Sequence, residues 1–234
     1  MDKKRAAAEK AVSMIKDGMI IGLGTGSTAA HAIELIGRRV AEGLSIVGIP
    51  TSTTTESLAK EAGIPLVSLD EVEKVDLTID GADEVDPNLD LIKGMGGALL
   101  REKVVAFAST EEVIIVDDSK LVEVLGTKSP LPVEVVPFGH RKTAKALEAL
   151  GCKAALKGGD RPFITDNGNL IYECKFRSID DPKMLEAKIH LIPGVVECGL
   201  FLNLATKVVI ASEKGTEVRS RSNLPRPAHF ESHF

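Results

Sequence analysis

Met19-Ile20-Ile21-Gly22-Leu23-Gly24-Thr25-Gly26-Ser27-Thr28 begins as an aliphatic run, passes three glycines in five residues and enters a helical pattern. Met19–Leu23 reads as a buried strand, and the stretch from Ser27 to about Glu42 as an amphipathic helix. Glycines let a backbone approach a ligand closely, and a helix N-terminus offers unpaired N–H groups and a dipole that favours an anion. Two readings stand side by side, a phosphate cradle and an ordinary tight turn. A Walker loop is excluded, because glycine rather than lysine precedes Ser27. A dinucleotide site wants a carboxylate at the end of the second strand. That strand, Ser45–Pro50, runs instead into Thr51-Ser52-Thr53, which disfavours NAD and leaves a small phosphorylated ligand.

The same alternation continues outward, with a helix near Glu56–Ala62, strands at Val75–Ile79 and Val113–Asp117, and a helix over Ala98–Ala108 between them. Short aliphatic strands alternating with helices predict a Rossmann-like parallel sheet with helices on both faces. Right-handed crossovers place every strand-to-helix loop on one rim, at the carboxyl ends of the strands. After Leu125 the pattern changes. Strand (Val133–Val136), helix (His140–Leu150), strand (Lys153–Leu156), a hairpin around Asn167-Gly168, helix (Pro182–His190) and strand (Val195–Cys198) predict a smaller ferredoxin-like βαββαβ domain. A last strand, Lys207–Ile210, is expected back in the large sheet. The division expected is 1–127 with 205–218 for the large domain and 128–204 for the small one. The segment 219–234, with His229 and His233, is expected to be a disordered or recombinantly appended extension.

Composition sets outer limits. The 234 residues carry 29 basic and 34 acidic side chains, a net charge of −5, which argues against nonspecific nucleic-acid binding. No segment reads as a leader or a membrane span. Cys152, Cys174 and Cys198 form no CxxC pair, and an odd count without a leader points to reduced thiols in the cytoplasm. The five histidines form no HxxxH pair, and His31 reads as a structural side chain.

Three further segments reach the same rim. Asp80-Gly81-Ala82-Asp83-Glu84-Val85-Asp86 holds four of the five carboxylates between Asp80 and Asp90. It reads either as a solvated acidic loop or, because Asp80 and Asp83 follow a strand, as part of a site; its spacing fits no calcium loop. Lys93-Gly94-Met95-Gly96-Gly97 leads into a helix bearing Glu102, whose neighbours one turn away are Ala98, Leu99, Val105 and Ala106. With no cation at helical spacing, Glu102 reads as a desolvated carboxylate suited to proton transfer or as an exposed glutamate, about equally on spacing alone. Lys120, in Asp117-Asp118-Ser119-Lys120, either reaches an anion on this rim or is a plain surface lysine.

Taken together, GLGTGSTAAH, the Thr51–Thr55 stretch, DGADEVDPNLDLIKGMGGALLREKVVA, VDDSK and the βαββαβ insert resemble the ribose-5-phosphate isomerase A family, in that family's order and as far as about Ile210. The resemblance implies an aldose–ketose isomerase acting on D-ribose 5-phosphate and D-ribulose 5-phosphate through an enediolate, without cofactor or metal. It implies Glu102 as general base, with Asp80, Asp83 and Lys93 assisting. Substrate contacts are implied for Thr25, Gly26, Ser27, Thr28, Asp80, Gly81, Ala82, Asp83, Lys93, Gly94, Met95, Gly96 and Lys120, and for Lys4 as an N-terminal phosphate contact. It also implies a homodimer or homotetramer. An amino-sugar-phosphate deaminase and a non-catalytic sugar-phosphate sensor remain the alternatives, with a coenzyme A transferase further off.

Overall fold

The computed structural model describes residues 2–221. In chain order the elements are α1 (Lys3–Val12), β1 (Ile20–Leu23), α2 (Ser27–Ala41), β2 (Val47–Pro50), α3 (Thr53–Glu61), β3 (Val75–Gly81), β4 (Glu84–Val85) and β5 (Leu91–Ile92). They continue as α4 (Leu99–Ala108), β6 (Ser109–Asp117), β7 (Leu131–Val135), α5 (His140–Glu148), β8 (Lys153–Leu156) and β9 (Leu170–Lys175). The last are α6 (Pro182–His190), β10 (Val195–Cys198), β11 (Leu200–Phe201), β12 (Lys207–Ser212) and β13 (Gly215–Ser220).

The large sheet runs β13-β12-β6-β3-β1-β2, parallel throughout except for the antiparallel edge strand β13. Alternation along β6 shows how it is buried on both sides. Val113 and Ile115 join α1 and α2 in one core, while Ile114 and Val116 join Ala106 of α4 and Phe201 in another. On α2 the buried Ala29, Ala32, Ile33, Ile36 and Gly37 recur at helical spacing, giving the stripe that faces the sheet. Because β2 lies outside β1 on one side and β3 on the other, the strand order reverses between β1 and β3. The crevice at their carboxyl ends is where open α/β sheets take ligands.

The second sheet, order β10-β7-β9-β8, is antiparallel and carries its own aliphatic core with α5 and α6. Its elements follow the expected βαββαβ order. The turn at Asn167-Gly168 forms, with Gly168 at φ 79° and the Gly168 N–H bonding Thr165 O at 2.9 Å, but its arms meet in an isolated bridge, Ile164 to Leu170, rather than a ladder. The arm before it cannot make a ladder: Gly158 and Gly159 adopt positive φ and Pro162 has no N–H, so β9 pairs with β8 instead. A third sheet, β11-β5-β4, has strands of two residues each and had no signal in the sequence pattern. The expected return of Lys207–Ile210 to the large sheet is observed as β12 beside β6.

The start expected for the extension, at Arg219, is overturned. Arg219 and Ser220 pair with Val208 and Lys207 in β13, and Arg221 holds Asp90 at 2.9 Å. Sequence reasoning missed this because β13 is exposed along most of its length and so lacks apolar periodicity. The rest of that segment, including His229 and His233, lies outside the described residues.

Candidate active site

The β1–α2 turn is shaped by one side chain. A Cβ on Gly24 would fall 2.2 Å from Asp80 Oδ1, so only glycine lets the Asp80 carboxylate settle on this loop. That oxygen accepts the Thr25 N–H at 3.1 Å and the Gly81 N–H at 2.7 Å. Two residues on, Gly26 takes φ 116° at the N-cap of α2, and no side chain caps the helix. The first N–H groups of α2 are therefore left to an external acceptor. Lys4 reaches this turn from α1, its ammonium 2.8 Å from Ser27 Oγ.

Beneath the turn is a hydroxyl cluster. Thr25 Oγ1 lies 2.8 Å from Thr51 Oγ1, 2.9 Å from Ser52 Oγ and 3.0 Å from Thr55 Oγ1. Thr51 and Thr55 in turn donate to the carbonyls of Leu23 and Gly24, both at 2.9 Å. Ser52 also accepts the Thr55 N–H at 3.0 Å, which starts α3 at Thr53 rather than near Glu56. The Thr-rich stretch was visible in the sequence, but its role as the floor of the turn was not.

Lys93 sits at the centre. Its ammonium is 2.9 Å from Asp80 Oδ2 and 3.6 Å from Glu102 Oε2, with the three side chains 2%, 1% and 3% exposed. It also donates to the Gly81 carbonyl and lies 5.3 Å from the centre of the Phe201 ring. The three-stranded sheet aims it: β5 ends one residue earlier, and the Lys93 N–H bonds Gly199 O at 2.9 Å beside β11. Burial alone would lower the ammonium, but the Asp80, Glu102 and Glu112 carboxylates outweigh it and hold Lys93 above its usual value. Asp80 is raised by burial, against the pull of Lys93. Glu102 is pushed up to about 8, first by burial, then by the Asp80 charge, with Lys93 opposing. It is thus the desolvated carboxylate of the two sequence readings, and its cation comes from another loop.

The five carboxylates of the acidic segment divide by role. Asp83 faces the lysine loop, accepting the Met95 N–H at 3.0 Å. Glu84 is fully buried and takes the N–H groups of Gly126, Lys128 and Ser129, tying down the chain before β7. Asp86 shapes its own turn through Asn88 and Asp90, while Asp90 pairs with Arg221. Within the lysine loop Met95 and Gly97 already donate to Asp83 and to the Gly94 carbonyl. Among the described residues the N–H groups of Gly94, which is buried, and of Gly96, which is exposed, have no protein acceptor.

Lys120 ends a short 3-10 turn after β6. Burial works to raise the Asp117 carboxyl, but hydrogen bonding from Ser119 and the charges of Lys120 and Lys4 outweigh it and hold it low. Both lysines therefore flank the carboxyl end of β6. His31 lies 3.9 Å from the Asp2 carboxylate. One group escaped the spacing rules: Glu186, His190 and Cys198 bring ligand atoms within 4.8 Å of one another. The Lys103 ammonium stands beside it, 3.5 Å from Glu186 and 2.6 Å from the adjoining Glu197. Cys152, Cys174 and Cys198 are free, buried thiols, and among the described residues no helix is long and apolar enough to cross a membrane.

A family model described as Ribose 5-phosphate isomerase A (phosphoriboisomerase A) matches residues 47–215. Ribose-5-phosphate isomerase A of Gloeobacter violaceus is 54% identical over 224 residues, covering 95% of this chain and 97% of that protein. The same-named protein of Bacillus mycoides is 52% identical over 217 residues, covering 92% and 98%. Among solved structures, ribose 5-phosphate isomerase A from Methanocaldococcus jannaschii superposes with a TM-score of 0.89 at 46% identity, covering 94% of this chain and 98% of that one. A D-ribose-5-phosphate isomerase in complex with phospho-erythronic acid gives a TM-score of 0.91 at 43% identity, with coverage of 94% and 98%.

Proposed function

The chain belongs to the ribose-5-phosphate isomerase A family, and on that premise we propose that it interconverts D-ribose 5-phosphate and D-ribulose 5-phosphate with Glu102 as the base. One observation carries the residue assignment. Thr25 N–H, the Asp80 carboxylate, the Lys93 ammonium and the Glu102 carboxylate form an unbroken chain of contacts at 3.1, 2.9 and 3.6 Å. The anion cradle and the base thus belong to one continuous network, which supports assigning both to a single five-carbon sugar.

In the aldose direction Glu102 takes the proton from C2 of the open-chain sugar. The C–H electron pair becomes the C1–C2 double bond, and the carbonyl pair moves onto O1. The Lys93 ammonium and the N–H groups of Gly94 and Gly96 stabilise that oxyanion. A proton passes from O2 to O1 with Asp80 or Asp83 assisting, and Glu102 returns its proton to C1 as the C2 carbonyl forms. An oxyanion donor typically contributes about 3–4 kcal/mol when deleted singly, and a placed base about 10²–10⁴-fold. The phosphate, held by the start of α2 with Thr25, Gly26, Ser27, Thr28, Lys4 and Lys120, supplies remote binding energy that fixes the reacting carbons.

The reaction needs no metal in this reading, because a buried ammonium stands where the oxyanion forms. The deaminase and sensor alternatives draw no support from the relatives above, which carry the isomerase name. We read the protein as cytoplasmic and as a homodimer or homotetramer, which light scattering on the eluted protein distinguishes. The test of function follows ribulose 5-phosphate formed from ribose 5-phosphate by the purified chain, before and after dialysis against EDTA, beside Glu102→Gln. The unaltered chain is expected to turn over in both cases and the variant to lose about 10²–10⁴-fold in kcat. Near-normal turnover by the variant removes the base assignment.

A further inference from the structure

The loop between β8 and β9 leaves the small sheet and grips the large one beside the site. Asp166 accepts the Thr53 N–H at 2.8 Å and the Thr53 hydroxyl at 2.9 Å, at the first turn of α3. Its second neighbour is Arg101, whose guanidinium lies 3.7 Å from the Asp166 carboxylate, donates to the Asp166 carbonyl at 3.1 Å and to Asn167 Oδ1 at 2.9 Å. Arg101 immediately precedes Glu102 on α4, and α3 carries Thr55 of the hydroxyl cluster under Thr25. One turn thus holds both the helix with the base and the helix beneath the anion cradle.

That turn is itself braced from behind. Glu134, fully buried in β7, accepts from Thr165 Oγ1 at 3.0 Å, Asn169 Nδ2 at 2.9 Å and Asn167 Nδ2 at 3.4 Å. Just upstream, the Phe163 ring occupies the space where a Cβ on Gly97 would stand, 2.4 Å from its ring atoms. The β8–β9 loop therefore touches the lysine loop, α3 and α4 at once.

We propose that this turn is a strut for catalysis, with Asp166 a positioning residue that fixes α4 and its base against α3 and the anion cradle through Arg101 and Thr53. The sugar phosphate is a rod of fixed length, anchored at one end and deprotonated near the other. Whatever sets the span between those ends sets how often the base meets C2, and misplacement by an ångström costs about 10²-fold. The inference rests on the isomerase reading and deepens it.

The test compares Asp166→Ala, Asp166→Asn and Arg101→Met in the full chain, with ribose 5-phosphate as substrate, inorganic phosphate as competing anion, and rates divided by the folded fraction. Asp166→Ala is expected to lower kcat about 10–100-fold while KM and the inhibition constant of phosphate stay within about threefold. Asp166→Asn keeps an oxygen for Thr53 and should recover part of the loss. Arg101→Met, at a half-exposed position, should lose about tenfold in kcat and serves if the Asp166 variants fold poorly. The acid limb of kcat/KM should stay where it is in the unaltered chain, since Glu102 remains buried. A kcat within twofold of the unaltered chain in folded Asp166→Ala and Arg101→Met overturns the strut, as does a loss that vanishes on correction for folded protein. Absence of turnover by the unaltered chain sinks the isomerase reading instead.

Discussion

Two ion clusters of nearly the same make-up border Phe201. In one Lys93 meets Asp80 and Glu102; in the other Lys103 meets Glu186 and Glu197, and both ammonium groups lie close to the ring, at 5.3 and 5.1 Å from its centre. In the first, no side chain is more than 3% exposed; in the second they are 13%, 30% and 17% exposed. Water therefore screens the second set and hardly reaches the first, where the same charges act through a far less polarisable medium. Adjacent residues of one helix, Glu102 and Lys103, thus serve different ends. One is the buried carboxylate proposed above as the base; the other ties α4 to α6 and β10.

The sharpest way to break the comparison is Lys93→Met. It removes the proposed oxyanion donor and leaves the buried Asp80 and Glu102 carboxylates without the Lys93 cation. Turnover should fall about 10²–10³-fold. Removing one partner of a buried pair typically costs about 3–5 kcal/mol, and here the loss should be greatest at alkaline pH and shrink as pH falls below about 8, where Glu102 takes up its proton. Thermal unfolding across pH checks it; a pH-independent loss would mean the two carboxylates do not depend on Lys93.

A smaller effect concerns Glu102 itself. Its folded pKa of about 8 lies above the unfolded value of 4.5, so between these values the folded state binds more protons than the unfolded one. Its contribution to stability is therefore complete below about pH 4.5 and declines as pH rises toward 8. As the proposed base acts only when ionised, kcat/KM is expected to climb through the same upper pH. Glu102→Gln should abolish that limb of activity and raise the melting temperature at pH 8, by about 2–4 °C for each 1 kcal/mol relieved. A variant no more stable than the parent at pH 8 argues against a strained carboxylate.

The smallest effect is expected across the ring. Lys103→Met should cost under about 1 kcal/mol and leave kcat within twofold, since a partly solvated pair is worth little. Should it match Lys93→Met, the contrast in screening fails.

How far the sequence could be read follows from the reach of each signal. The rim of βα loops was legible because strand and helix periods are local: Gly24 directly follows β1 and Asp80 lies at the carboxyl end of β3. Glu102 was half legible: its neighbours at helical spacing showed no cation, but Lys93 reaches it from nine residues back and outside the helix. The hydroxyl floor at Thr51, Ser52 and Thr55 was hidden because threonine-rich turns commonly serve only as caps. The grip of Asp166 on Thr53 spans 113 residues and leaves no periodic trace. The three-stranded sheet was illegible, its strands being too short to alternate.

Arg221 has a practical corollary. Its guanidinium is 8% exposed and spans Asp90, the side chain of Asn203 and the carbonyl of Ala205. Asp90 stands immediately before β5, the strand that delivers Lys93. A shortened version ending at Ser220 would strand that aspartate without its counter-charge, three positions from the buried Lys93 ammonium. Trimming for crystallisation or fusion at this end should therefore stop beyond 221.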